Sequence, residues 1–433
     1  MIQLELFPRT LSKTKLPTNL TTNYYPIHRW FNFIAGFSPE FVRSCVREAR
    51  LTSDDVLIDP FGGLSTSLVQ ANFEGIRSIG FEPHPFFFDL SQAKIAPPTD
   101  VAAIDEIEVR LLGLRPYTYP AKSDTDVYAD LWSTSAIKFL KKLIPEQELR
   151  FLASALLLER DIDSSVRQPY RLIVSRVLEL TSKSQTDGIY KAPTTKKRTT
   201  PFREAVKRVC QEVRQDIKAT VEIYKRQATL YPTSSEKMSP IEDESCSICV
   251  TSPPYLNNFD FAEMTRMELY FWRYANSWGE ITEKVRRHQI VNTTTAPTEF
   301  KKNYLKFKGT LSKPIQMLLE PIVEALEKEK RVRAGKKDYY RLVYPYFSQM
   351  QSVFRELRRV LKGGSPFHLV VADSALYGVH IDTQKILARL MEETGFEVLE
   401  IELLRKRGGR WILKKRQGSK KGLGEYHIVS RRL

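Results

Sequence analysis

Cysteine is scarce in this chain, with four in 433 residues: Cys45, Cys210, Cys246 and Cys249. So few thiols exclude a disulfide scaffold and suit a reducing compartment. Long apolar runs are missing too, and no stretch approaches the roughly 18 residues of a membrane span. The opening MIQLELFPRTLSKTKLPTN has no apolar leader core followed by small residues. The expectation is therefore a cytoplasmic protein that does not enter a membrane. The phosphate-gripping patterns G-x-G-x-x-G and G-x-x-x-x-G-K-[ST] are absent, which argues against dinucleotide oxidoreductases and P-loop enzymes. Histidines show no ligand spacing, and the single C-x-x-C pair, Cys246 and Cys249, lies on a strand-like run, so no metal is expected. No nuclease pattern of the P-D-x(n)-D/E-x-K kind is evident, so cleavage of DNA by this chain is not expected. Acid is short relative to base: 51 Asp and Glu against 67 Lys and Arg give a net charge of +16. That excess points to a polyanion, nucleic acid first.

What is present has α/β patterning. Hydrophobic residues make up 42%, enough for a real core. Residues 24–50 read as an aromatic-rich loop and then a helix with Ser38 as N-cap and Pro39 at its first position. VLIDPFGG, at 56–63, is a short apolar run ending abruptly in an acid, Pro and Gly, like a buried strand entering a tight loop. A helix from Ser65 to Phe73 follows, then a second buried strand from Ile76 to Phe81 that ends at Glu82. This β–loop–α–β unit predicts a doubly wound sheet. Residues 128–183 read as helical, 202–229 as one charged amphipathic helix, and 248–250 as a strand. Further on, the pattern gives a helix over 347–361 stopped by Lys362-Gly363-Gly364, a strand over 367–373, a helix over 382–394 and a strand over 396–404.

Two loops carry the chemistry. Asp59-Pro60-Phe61-Gly62-Gly63-Leu64-Ser65-Thr66 follows a buried strand, so its glycines let backbone approach a ligand and the next helix offers free N–H groups. Glu82 is placed to accept two ribose hydroxyls, as the acid does in dinucleotide-binding folds. These features fit a nucleoside without a pyrophosphate, or a glycine turn that is only structural. The second loop is Thr251-Ser252-Pro253-Pro254-Tyr255. Consecutive prolines freeze the backbone and remove two donors, so Ser252 Oγ and the Pro253 carbonyl can both accept from an amine. Tyr255 can stack on a planar ring. A bare S-P-P-Y reads as a rigid turn; after a buried strand, in a chain that also has the first loop, the binding reading prevails.

DPFGGLST with FEPHP downstream, and TSPPYLNNFDFAEMTRMELYFW, resemble the cofactor and catalytic motifs of S-adenosylmethionine-dependent amino-group DNA methyltransferases. The form is closest to the cytosine-N4 branch, since adenine-N6 enzymes carry Asp or Asn where Ser252 stands. YPYFSQMQSVFRELRRVLKGGSPFHLVVADSALYG is similar to the same family. The resemblance implies a Rossmann-like class I methyltransferase core, a mostly parallel seven-stranded sheet, with helical insertions. It also implies a cofactor site of Asp59, Pro60, Phe61, Gly62, Gly63, Ser65, Thr66, Glu82 and Thr251, and a catalytic loop of Ser252, Pro253, Pro254 and Tyr255. Asp373 and Ser374 would end a strand nearby. The partner implied is double-stranded DNA, with a separate restriction endonuclease as companion. Adenine-N6 methylation is the second reading, an RNA amino-group methyltransferase the third, and a cofactor-binding DNA recognition subunit without turnover the alternative from another class. Two departures stand out: Ser65 replaces a usual Gly, and PTSSEKMSP (232–240) stands where the family often has an acid near the cofactor adenine.

The expected organisation is 1–110 as the cofactor part of the core, 111–239 as a helical insertion for target recognition, 240–280 as the catalytic part, 281–340 as a basic helical insertion, and 341–433 as the rest of the core. Phosphate contact is expected from at least one basic run: Lys196-Lys197-Arg198, the group Lys328, Lys330, Arg331, Arg333, Lys336 and Lys337, or Arg405, Lys406, Arg407 and Arg410.

Overall fold

The computed structural model describes residues 21–31, 38–118, 126–186, 191–192, 197–257, 259–332, 337–407 and 423–433. Its centre is a seven-stranded sheet of β1 (Val56–Asp59), β2 (Arg77–Phe81), β3 (Ala228–Tyr231), β4 (Ile248–Thr251), β5 (Pro366–Ala372), β6 (Phe396–Arg407) and β7 (Leu423–Arg432). The spatial order is β6-β7-β5-β4-β1-β2-β3. Strands β5, β4, β1, β2 and β3 run parallel, while β7 is antiparallel to both of its neighbours. This is the mostly parallel α/β sheet anticipated from the motifs. Every residue of β1 (VLID) and of β4 (ICVT) is buried, as central strands covered on both faces must be.

The local signals translate directly at several points. Ser38 Oγ accepts from the Phe41 N–H and Pro39 opens the helix Pro39–Glu48, whose Phe41, Val42, Cys45 and Val46 are buried. The helix Thr66–Glu74 ends at Gly75, which takes the left-handed conformation that glycine adopts without penalty.

Three readings need correction. The segment 202–229 is not one helix: the helix Phe202–Thr220 stops and Ala228–Tyr231 forms edge strand β3. Pairing of Ser78 with Ala228 through Phe81 with Tyr231 decides this; nothing within ATLY itself does. The helix placed at 347–361 spans Tyr340–Val360 and continues through Pro345. Lys362-Gly363-Gly364 is not its cap, since Leu361 is already extended; Gly364, at φ +77°, serves the turn in which the Ser365 N–H donates to the Lys362 carbonyl.

The helices Thr134–Leu143, Glu146–Leu158, Arg167–Thr181 and Phe202–Thr220 share one hydrophobic core with the helix Pro85–Ile95. Indole N–H groups tie this layer to the segment after β4: Trp132 donates to the Phe271 carbonyl and Trp272 to Ser175 Oγ, both at 2.9 Å. The helices of 298–332 join a second core with Tyr340–Val360 and Thr383–Glu393. All four cysteines are buried; burial pushes the thiol of Cys210 up to about 12 and that of Cys246 to about 11, and raises Cys45 and Cys249 as well.

Asp216, on the helix Phe202–Thr220, fastens the chain entering the core. Its carboxylate accepts from the Ile27 N–H at 2.9 Å, from Arg29 Nη2 at 2.5 Å and from Trp30 Nε1 at 2.9 Å. Arg29 Nε donates to it as well at 3.1 Å, so Asp216→Ala leaves four donors without that acceptor. We expect a loss on the order of 3 kcal/mol, measured by urea unfolding; a loss under about 1 kcal/mol would show that water replaces the carboxylate at no cost.

Candidate active site

Strands β1 and β4 lie side by side, with Leu57 opposite Ile248 and Ile58 opposite Cys249. Their carboxyl ends therefore deliver both motif loops to one edge of the sheet. Chain order reverses at this point, from β1-β2-β3 on one side to β4-β5 on the other, and such a switch point opens a crevice.

The first loop is wrapped by hydrogen bonds. Asp59, 1% exposed, uses Oδ1 to accept from the Phe61 N–H at 3.0 Å and from Thr251 Oγ1 at 2.5 Å. Asp59 Oδ2 is buried with no hydrogen-bond partner. Burial raises the Asp59 pKa, against the hydrogen bonds from Thr251 and Phe61. The Gly62 N–H donates to the Phe81 carbonyl at 2.9 Å, and a Cβ on Gly62 would stand 3.2 Å from that oxygen, so a side chain there would crowd the strand end. Glu82 accepts from the Gly63 N–H at 2.8 Å and from the His84 N–H at 2.7 Å. Burial pushes its pKa up to about 8. From behind, Ser91 Oγ donates to the Gly63 carbonyl and the buried Lys94 Nζ to the Leu64 carbonyl at 3.0 Å; burial lowers Lys94 to about 7.

The sequence-predicted residues thus assemble, with two changes of role. The Thr251 hydroxyl is committed to Asp59, so its part is to position that carboxylate. Each oxygen of Glu82 already holds a backbone N–H, so the acid shapes the loop as well as facing it. Pro60 and Gly62 are buried, and Phe61, Gly63 and Thr66 are half-buried. His84 lies beside the loop: its Nε2 meets Thr265 Oγ1 at 2.8 Å, its ring stacks on Phe87, and burial lowers its pKa to about 3.

Ser65 stands on backbone that suits the glycine it replaces. It adopts φ +58°, ψ +39° at the start of the helix Thr66–Glu74, a conformation that favours Gly. The segment 232–240, which leaves β3 at the same edge of the sheet, does carry an acid: Glu236 Oε2 accepts from Gln349 Nε2 at 3.0 Å.

In the second loop, Ser252, Pro254 and Tyr255 are half-buried and Pro253 is buried. Ser252 Oγ donates to Tyr255 Oη at 3.3 Å, and Tyr255 Oη donates to Glu425 Oε1 at 3.0 Å. Glu425 in turn takes Arg405 Nε on Oε2 at 2.5 Å. Sequence reasoning missed Glu425, because it lies on a strand 170 positions away with no local motif around it. Tyr346, whose buried hydroxyl has no partner and which lies close enough to Tyr255 to feel its charge, was missed as well. Its run YPYFSQ was read as part of the family-like segment 344–378, with no role given to the tyrosine. Asp373, at the end of β5, accepts from the Gly424 N–H at 2.8 Å and pairs with His380 Nε2 at 2.9 Å; the neighbouring Ser374 Oγ is buried without a partner.

Several residues of the basic runs turn inward or pair. Lys197 Nζ donates to the Glu179 carbonyl, Lys330 pairs with Asp338, and Arg405 with Glu425. Lys196, Arg333, Lys336 and Arg410 lie outside the described residues. A separate open cleft of about 740 Å³ in the helical layer is lined by Trp132, Ile137, Lys138, Lys141 and Lys142 among others.

Ser65 gives a test of the loop. Its Oγ is buried without a partner, and its backbone sits where an L side chain costs about 1 kcal/mol. Ser65→Gly removes both penalties and gives back about 0.5–1 kcal/mol of unfolded-chain entropy. The expected outcome is a gain near 1 kcal/mol in chemical denaturation; a loss of stability would show that the hydroxyl holds the loop.

No protein-family model matches the chain. It is 23% identical over 447 aligned residues to the type II methyltransferase M.BsoBI of Geobacillus stearothermophilus, with 94% of this chain and 84% of that protein covered. It is 25% identical to the type II methyltransferase M.AvaI of a Nostoc strain and of Anabaena variabilis, with 88% of this chain and 81% of those proteins covered. A solved protein of Methanosarcina mazei, described as a SAM-dependent methyltransferase, aligns over 90% of this chain and 97% of its own at 9% identity, with a TM-score of 0.30, too low to carry an argument. The chain is therefore similar, over nearly its whole length, to type II methyltransferases.

Proposed function

We propose that this protein transfers a methyl group from S-adenosylmethionine to the exocyclic N4 of cytosine in a specific DNA sequence, as the modification enzyme of a restriction–modification pair. The observation that carries the reading is the convergence of Asp59-Pro60-Phe61-Gly62-Gly63 and Ser252-Pro253-Pro254-Tyr255 at one switch point of the sheet. Similarity to type II methyltransferases supports it.

The residues present suit a nucleoside-bearing cofactor. Asp59 Oδ2 and Ser65 Oγ are buried polar atoms without partners, the cost of which a ligand would offset, and a side chain on Gly62 would crowd the loop. Asp59, Phe61, Gly63, Ser65, Thr66 and Glu82 would hold the cofactor, which supplies an electrophilic methyl on a sulfonium. The Ser65 departure, the main support for a subunit without turnover, removes no group the chemistry needs, since the backbone there still takes the left-handed conformation a glycine would take.

On the substrate side, an exocyclic amine conjugated to its ring is a weak nucleophile. Ser252 Oγ and the Pro253 carbonyl would accept its two protons and turn its lone pair toward the methyl, with Tyr255 beside the ring. Catalysis is then mostly positioning. A duplex base must leave the stack to enter, at a cost of a few kcal/mol that aromatic contact offsets. The net charge of +16 suits the phosphate backbone. We assign base readout to the helical layer within 111–239, where the lysine-lined cleft lies. No described helix is long and apolar enough to cross a membrane, in keeping with a cytoplasmic location.

Expression in a methylation-free bacterial host, followed by sequencing that separates N4-methylcytosine from N6-methyladenine, tests the reading. One modified motif carrying N4-methylcytosine, abolished by Ser252→Ala and by Tyr255→Ala, is expected. N6-methyladenine would move the assignment to the adenine branch, and unmodified DNA would reject it.

Glu82 gives a pH signature. Ribose hydroxyls donating to its carboxylate favour the ionised form, whereas burial holds the free protein's Glu82 at about 8. Below that pH, binding must release a proton, so affinity rises with pH up to about 8 and then levels. Calorimetry of S-adenosylhomocysteine binding from pH 6 to 9 checks this; an affinity flat across that range would place the ribose elsewhere.

A further inference from the structure

The hydrogen bonds around Tyr255 form a directed chain. Ser252 Oγ gives its proton to Tyr255 Oη at 3.3 Å, Tyr255 gives its own to Glu425 Oε1 at 3.0 Å, and Arg405 Nε holds Glu425 Oε2 at 2.5 Å. Glu425 is 4% exposed, so an acid from the antiparallel end of the sheet is buried behind the catalytic loop. Its backbone position is fixed on both sides, opposite Ala372 of β5 and Arg405 of β6. A tyrosine needed only as an aromatic surface would not require a buried carboxylate behind its hydroxyl, because taking that charge out of water is unfavourable unless geometry repays it.

Amine methylation leaves a proton to remove. As the nitrogen lone pair forms the new N–C bond, the C–S pair returns to sulfur, and the nitrogen is left with one proton too many. A serine hydroxyl is too weak a base to keep that proton. We propose that Glu425 is its terminal acceptor, reached through Ser252 and Tyr255. The nitrogen proton moves to Ser252 Oγ, the Ser252 proton to Tyr255 Oη, and the Tyr255 proton to Glu425 Oε1. The products are a neutral methylamine, a neutral thioether and a neutral Glu425 carboxyl. Arg405, now beside an uncharged partner, favours release of that proton to solvent, toward which its side chain is 38% exposed. The direction of the chain also leaves the Ser252 lone pairs free to accept from the amine. This inference rests on the amino-methyltransferase reading above and assigns a role to two residues outside the motifs.

The test compares wild type, Glu425→Gln and Tyr255→Phe on a duplex carrying the motif found in the host DNA. Glu425→Gln keeps an acceptor for Tyr255 but no base. Single-turnover methyl transfer should fall ~100-fold or more. S-adenosylhomocysteine affinity by calorimetry and base flipping by 2-aminopurine fluorescence should be unchanged. Tyr255→Phe keeps the ring and cuts the chain, so its rate should fall likewise, and the carboxylate infrared band that vanishes in Glu425→Gln should shift. A Glu425→Gln rate equal to wild type, or a loss explained by weaker cofactor binding or flipping, overturns the relay while the methyltransferase reading stands. A wild-type protein that methylates no amino nitrogen removes both.

Discussion

The hydrogen bond from Thr251 Oγ1 to Asp59 Oδ1, 2.5 Å long, joins the last residues of two adjacent parallel strands, and the geometry of both loops follows from it. Asp59 opens the glycine loop and Thr251 immediately precedes Ser252. A single buried contact therefore sets how far the first loop stands from the second. Backbone pairing between β1 and β4 covers only two residue pairs, so the side-chain bond extends the register to the point where the strands part. The carboxylate is costly to hold there, since burial disfavours its charge, and the hydrogen bonds from Thr251 and Phe61 repay part of that cost.

The same economy of charge recurs around the loop. Glu82 is pushed up by burial and Lys94 down, so the ionisable groups enclosing the glycine loop are all held closer to neutrality than in water. They act as hydrogen-bonding shape more than as a field. Glu82 pins two backbone donors, and Lys94 and Ser91 pin two carbonyls. Three side chains, through four hydrogen bonds, thereby over-determine a short stretch whose glycine φ of +54° and serine φ of +58° it would not hold alone.

Most of the core was legible because its signals are local. Strands β1, β2, β4 and β5 are short apolar runs stopped by Pro, Gly or an acid, and Ser38-Pro39 marks a helix start by chemistry that acts within one turn. Strand β3 was not legible: ATLY is a strand only because the edge of β2 pairs with it. Strand β7 went unread for a similar reason, since its place between β5 and β6 depends on chain reversal far from its own residues. The site divides the same way. Asp59, Gly62, Glu82 and the Ser252–Tyr255 loop could be named because strand ends and rigid turns announce themselves. Glu425 and Tyr346 could not, because each comes near Tyr255 from another strand or helix and carries no pattern of its own; Arg405 was read as a phosphate-facing base, and only the pairing of β6 with β7 turns it toward Glu425. The direction of the Thr251 hydroxyl, toward Asp59 and not toward a ligand, is likewise a matter of strand adjacency.

The four cysteines have a practical bearing. Each is enclosed in a core, and burial holds each thiol in its protonated, unreactive form, since only the thiolate attacks. Alkylating reagents and air oxidation therefore meet no target in the folded chain. A cysteine introduced on an exposed helix would be the one position that takes a fluorophore or spin label. Distances between the helical layer and the sheet could then be followed in solution without first stripping native thiols from the protein.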